Sequence, residues 1–243
     1  MRVVIIAAAM AWAGIAGAQE AAKPAGMTAE QLIEKMLQAS GGRAAMEKLT
    51  STVGKGTAEI TWAGITANTE YYAKAPDKQM TVTMLEGYGQ VRQGFDGKVA
   101  WVDNPESGLQ ELTGEMAEQA KRQAVFNAPL KWRELYPKAE LKGKEKIGDR
   151  DTWMLVLTST AGKTVTQYVD AETFLLTRQL MTQQTPQGEM EMTAELSDYR
   201  DVSGVKVPFL IKQRLPPGDI IIKFTEMQNN VPIDDAKFAK PAK

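Results

Sequence analysis

The chain contains neither cysteine nor histidine. Without thiols there is no disulfide framework, so stability must come from a packed core. Without thiols and imidazoles the usual ligands of zinc, copper and iron are missing, and neither a metal site nor a cofactor is expected. The same absences remove every Ser-His or Cys-His nucleophilic pair together with the commonest general base. Charge of one sign is also lacking in excess: 29 basic residues face 30 acidic ones, interspersed along the chain. No Lys/Arg stripe forms, which excludes nucleic acid as a partner. Long apolar runs are missing too, the longest being Val3 to Ile15, short of the roughly 20 residues that span a bilayer.

That run is nonetheless informative. "MRVVIIAAAMAWAGIAGAQE" places one basic residue, Arg2, before the apolar stretch and small residues at Ala16 and Ala18 after it. This is the layout of a cleavable secretory signal peptide, residues 1–18. An Ala/Pro/Gly tether is expected over 19–26 and a single domain over 27–243. The mature protein is expected to be exported and soluble.

"MTAEQLIEKMLQASGG" spells a helix: Thr28 caps it, Gln31 completes a capping box, and Leu32, Ile33, Met36 and Leu37 form one apolar face. Gly41 and Gly42 stop it, and "RAAMEKL" adds a shorter helix. From Thr52 the period changes to two, the signature of strands. Met80, Val82 and Met84 share one face and Thr81 and Thr83 the other. "GFDGKVAW" reads as a hairpin around Asp96-Gly97. A helical insertion, Thr113 to Tyr136, carries Met116, Ala120 and Ala124 at helical spacing before Asn127 and Pro129 interrupt it. Strands then resume to the end, separated by Gly148-Asp149, Ala161-Gly162, Pro186-Gln187-Gly188, Ser203-Gly204 and Pro217-Gly218.

In "GEMEMTAELSDY", Met190, Met192, Ala194 and Leu196 oppose Glu189, Glu191, Thr193 and Glu195, so this strand belongs to a sheet with one wet and one dry face. Too few helical residues are available to cover a broad sheet. The expected class is therefore mainly β (α+β): a curled antiparallel sheet forming an incomplete β-barrel, with an N-terminal helix and a mid-chain helical lid or plug. Such a shape leaves room for a cavity. Its lining is predicted at Met36, Met80, Val82, Met84, Met116, Met190, Met192 and Leu196, because methionine fits irregular apolar shapes. Each of these residues alone is equally an ordinary core residue. Pro208 cannot donate to a ladder, so a strand is expected to begin or bend there. Asp149, Asp151, Asp198, Asp201, Asp234 and Asp235 read as turn formers, and no catalytic residue is assigned.

Four segments, "GFDGKVAW", "YVDAETFLLTR", "YRDVSGVKVPF" and "NNVPIDDAKFAKP", resemble the outer-membrane lipoprotein-sorting proteins of the LolA-like superfamily across most of the mature chain. Similar segments also occur as tails of exported pitrilysin-type zinc peptidases, but a chain without histidine carries no such peptidase unit. The resemblance implies a half-barrel with a helical lid that holds the acyl chains of lipids or lipoproteins in the periplasm. It implies a monomer that exchanges cargo with a membrane receptor or donor complex, and a lid that moves on loading. It also implies an arginine near the cavity mouth that helps to control opening, for which Arg92 and Arg178 are the candidates. A rival use of the same fold is an envelope sensor or protein-interaction module without transport activity. An enzyme built only from carboxylates, Ser, Lys or Tyr ranks last, since no nucleophile is accompanied by a recognisable base.

Overall fold

A computed structural model describes residues 26–185 and 188–242. The expected signal peptide, nearly all of the expected tether and the Pro186-Gln187 part of one expected turn lie outside the described residues. The N-terminal helix α1, Ala29–Ala39, starts at the expected capping box, with both Thr28 and Gln31 contributing. Helix α2, Arg43–Glu47, follows at once.

Strands β1 (Ser51–Ile60), β2 (Ile65–Lys74), β3 (Lys78–Leu85), β4 (Gly89–Phe95), β5 (Ala100–Asn104) and β6 (Gly108–Glu111) form the first half. Helix α3, Gly114–Ala124, then leads through a 3₁₀ turn, Ala128–Lys131, into α4, Trp132–Leu135. The second half holds β7 (Lys138–Ile147), β8 (Arg150–Thr158), β9 (Thr164–Asp170), β10 (Leu176–Thr185), β11 (Gly188–Val202), β12 (Val205–Leu215) and β13 (Gly218–Asn229). Together they make one antiparallel sheet in the order β6-β5-β4-β3-β2-β1-β13-β12-β11-β10-β9-β8-β7, with β6 and β7 as its two edges. The edge strand β7, "KAELKGKEKI", is rich in lysine and bulged between Leu141 and Gly143, two devices that discourage edge-to-edge pairing.

The sheet is strongly curled, and distance arithmetic requires it. Ala73 of β2 shares a core with Leu155, Leu157 and Val169 of β8 and β9. In a flat sheet β2 and β8 would stand about 34 Å apart at 4.7–4.9 Å per strand. Likewise α3 packs against β4 and β5 on one arm and β10 on the other, although a helix of its length spans only about 16 Å. Only a sheet bent into a half-barrel brings both arms within reach.

Helices α1, α2 and α4 plug one end of the concavity. Leu32, Ile33, Leu37, Met46 and Trp132 are buried against the strand residues just named and against Val205. The plug is seated by backbone contact. Lys206 N–H donates to the Ser40 carbonyl at 3.0 Å, and Gly41, at φ +117°, lies so near the β11–β12 turn that a Cβ would meet the Gly204 carbonyl oxygen at 2.1 Å.

Two local expectations need correction. The turn after β4 is longer than two residues: Asp96 Oδ1 accepts from the Lys98 and Val99 N–H groups at 2.8 and 2.7 Å before β5 begins. Strand β12 begins at Val205 rather than at Pro208. Proline is tolerated inside it because the β12–β13 ladder starts only at Leu210, so Pro208 sits in a stretch paired on one side alone.

The convex face is closed by the C-terminal segment. Phe238 is fully buried against Met80, Val82 and Trp101, and its carbonyl accepts from Trp101 Nε1 at 2.9 Å. Ser51 Oγ donates to the Val231 carbonyl at 2.6 Å, and Lys74 Nζ to the Ile233 carbonyl at 2.7 Å. Lys74 and Lys78 also grip the Asp235 carboxylate at 2.7 and 2.6 Å. Their hydrogen bonds hold its pKa down at about 2. A carboxyl depressed in the docked state contributes stability above its free value near 4 and loses it as pH falls through about 2. The melting-temperature gap between wild type and Asp235→Asn is thus expected to be constant at neutral pH and to close between about pH 4 and pH 2. A gap that persists unchanged below that window would disprove the lock.

Candidate functional site

Strand pairing assigns every side chain to one of two faces, because directly opposed residues point the same way. Following the register outward from Ala73, the concave face carries Ala58 of β1, Ala67 and Thr69 of β2, and Phe224 and Ile222 of β13. It continues through Ile211 and Gln213 of β12 to Leu196, Ala194, Met192 and Met190 of β11, then to Gln179, Met181 and Gln183 of β10 and Val165 and Gln167 of β9. On the other arm it carries Gln79, Thr81 and Thr83 of β3.

Between the plug and the open end, these concave positions contain no Asp, Glu, Lys or Arg. The opposite face of the same strands is charged: Lys55, Glu59, Glu70, Lys74, Arg92, Arg178, Glu191, Glu195, Lys212 and Asp219 all point outward. Tyr71, the ionisable exception inside, is pushed up to about 12 by burial and stays neutral. The concave polar groups are amides and hydroxyls, and four of them form two mutual pairs. Gln167 Nε2 donates to Gln179 Oε1 at 3.1 Å, and the Thr69 and Thr83 hydroxyls lie 3.3 Å apart.

The face is only partly covered. Met192, Ala194, Ala58, Ala67 and Phe224 are buried, whereas Met181, Met190, Leu196, Ile211, Ile220 and Ile222 retain partial exposure. Helix α3 crosses the trough, laying Ala117, Ala120 and Ala124 against Phe95 and Ala100 of the first arm. On the second arm Gln119 Oε1 accepts from the Gln184 backbone N–H at 2.7 Å. That N–H belongs to the part of β10 that projects beyond its ladder with β9, so a side chain from the middle of the helix satisfies an otherwise open strand edge. With both of these contacts α3 has the placement of a lid.

The predicted lining divides. Met190, Met192 and Leu196 lie together on the concave face. Met36 packs at the margin of the plug core, and Met116 is half-buried on α3. Met80, Val82 and Met84 do not join them, since they oppose Tyr72, Glu70 and Asn68 on the convex face. There Met80 and Val82 are covered by Phe238, while Met84 is 48% exposed. Alternation revealed that β3 has an apolar side but not which side faces inward. The threonines face the trough, and the methionines share the convex face, where Met80 meets the C-terminal segment. Both arginine candidates are convex as well: Arg92 pairs with Asp103, and Arg178 pairs with Glu195 at 2.8 Å, which also holds Arg214 at 3.1 Å. Neither stands at the mouth. Met181, whose side chain the sequence pattern also places on an inward face, joins the concave lining opposite Met192, and so do Ile211 and Ile222, for which period-two alternation was the available but unused signal.

No family model matches the chain, and no curated protein matches it in sequence. Solved structures do. A DUF1329 family protein from Desulfovibrio piger superposes with a TM-score of 0.59 at 12% identity, over 87% of this chain and 97% of that one. A LolA superfamily protein from Nitrosomonas europaea gives 0.56 at 19% identity, over 88% and 98% of the two chains. This is a LolA-like fold. An outer-membrane lipoprotein-sorting protein domain from Vibrio parahaemolyticus matches equally, with a TM-score of 0.56 at 11% identity, over 87% and 97%. The LolA-like half-barrel accounts for the curl, the plug and the crossing helix.

Proposed function

We propose that this protein is a periplasmic carrier that binds the acyl chains of a lipid or lipoprotein in the trough beneath α3 and delivers them towards the outer membrane. The observation that carries the reading is the contrast between faces: an uncharged, partly exposed concave surface on strands whose convex surface is densely charged. A long acyl chain withdrawn from water represents on the order of 12 kcal/mol at about 0.8 kcal/mol per methylene. A carrier must recover most of that and still release its cargo. Methionines and a single crossing helix suit both demands, since neither packs as rigidly as a branched core. The polar groups of this face are amides and hydroxyls, so no buried charge has to be neutralised on loading.

Native mass spectrometry with lipid extraction, on protein purified from the periplasm without harsh detergent, tests this. A discrete adduct that extracts as acyl-bearing material is expected, together with altered hydrogen exchange over α3 between lipid-free and loaded forms. A clean unliganded mass that stays unchanged after incubation with lipids and lipopeptides would refute the carrier role.

A further inference from the structure

The end of the half-barrel opposite the plug carries the turns β3–β4, β1–β2 and β12–β13, consecutive around the rim by sheet order. Three exposed large apolar residues gather here, Trp62 at 45% and Tyr88 at 41% in the turns and Ile65 at 37% at the start of β2, while Met84, at 48%, is exposed at the same end on the convex face. The central pair of turns, Thr61-Trp62-Ala63-Gly64 and Pro216-Pro217, contains no charged residue. The nearest charges of β12 and β13 are neutralised in pairs, Lys212 with Asp219 at 2.8 Å and Arg214 with Glu195 at 3.1 Å.

Trp62 is held in place rather than left at a loose tip. Thr61 N–H and Oγ both donate to the Asp219 carbonyl at 3.0 Å, and Asp219 N–H donates back to Thr61 Oγ at 2.9 Å. This staples the two turns side by side. Gly218 lies directly under the indole, where a Cβ would meet Trp62 Cε3 at 3.1 Å.

We propose that this rim is a membrane-docking edge, with Trp62, Ile65 and Tyr88 resting in the interfacial layer of a lipid bilayer while the trough opens towards it. Trp and Tyr combine an apolar ring with a polar tip and favour that layer. Among the described residues no helix is long and apolar enough to cross a membrane, so contact of this kind is superficial and reversible. The central turns are uncharged and the flanking Tyr88 turn adds only acidic groups, Glu86 in the turn and Glu106 against the Tyr88 hydroxyl, so no basic group draws the rim to lipid and the apolar attraction should vary little with ionic strength. The inference stands on the rim's own geometry and does not require the acyl cargo.

The test uses the full mature chain with phosphatidylcholine vesicles, read by flotation and by quenching of tryptophan with brominated acyl chains. Wild type is expected to float at low and high salt alike and to be quenched. Trp62→Phe should still float but lose most of the quenching, since Trp101 and Trp132 are buried and Trp153 packs against the plug core at the other end. The double variant Trp62→Ser/Ile65→Ser, with an unchanged circular dichroism spectrum, should partition about tenfold more weakly. Flotation unaffected by the double substitution would overturn the proposal. So would wild type that stays in solution, or that hides Trp62 by self-association in sedimentation without vesicles. Failure to float with an acyl adduct still present would remove the rim proposal alone, and flotation of an adduct-free protein would support it while removing the cargo reading.

Discussion

Phe238→Ala is expected to cost about 3–5 kcal/mol of stability, the range for emptying a fully buried phenylalanine site. For a domain of this size that corresponds to a fall in melting temperature on the order of 10 °C. The cost is large because the fully buried side chain fills the space between Met80, Val82 and Trp101, where the rest of the C-terminal segment adds only the partly buried Ile233 at the margin. It has an upper limit, namely the free energy at which the whole segment undocks and leaves the sheet otherwise folded. Urea unfolding followed by tryptophan fluorescence measures the loss. Hydrogen exchange in β3 and β5 shows which limit applies: release of the segment should expose these two strands while leaving the plug core around Leu32 and Leu155 protected. A melting temperature lowered by less than about 2 °C would mean that the segment contributes little, and that the convex apolar patch is stable uncovered.

The second large effect concerns cargo. Met190→Asp puts a short charged side chain on the uncharged concave face, too short to carry its carboxylate out to water as a lysine would. An acyl chain lying against it would leave the carboxylate poorly solvated and unpaired, and binding is expected to weaken roughly 100-fold. Folding should survive, because Met190 is only partly buried and sits near the end of β11. Met84→Asp is the matched control. The same residue type on the convex face, 48% exposed, should leave both acyl binding and stability nearly unchanged, within about 0.5 kcal/mol. Displacement of a fluorescent fatty acid measures both. Equal losses in the two variants, or none in either, would show that the trough is not where acyl chains bind.

These two substitutions also mark the boundary of what could be read from the chain. The capping box at Thr28, the helical insertion around Met116 and Ala120, the two-faced strand from Glu189 to Leu196 and the turn at Ser203-Gly204 all lie within a few residues of sequence. Local chemistry fixes each of them: a hydroxyl that satisfies a helix N–H, a period of 3.6 or of 2, a pair of residues at positive φ. A long meander with too few helices to cover it followed directly, and with it the half-barrel.

The side of each strand that faces the trough was not readable, because it depends on what lies across the sheet. Strand β3 shows this plainly. Its apolar side looks like a lining, yet Met80 and Val82 serve as a floor for Phe238, which is more than 150 residues away in sequence. Its threonines, which look solvent-facing, line the interior. Arg92 and Arg178 changed meaning for the same reason, once register placed Asp103 and Glu195 beside them. Composition and periodicity determined the architecture and the uncharged character of one face. Tertiary packing alone decided which face is the container and which end carries the exposed aromatic rim, since alternation fixes the parity of a strand and only long-range contacts fix its sign.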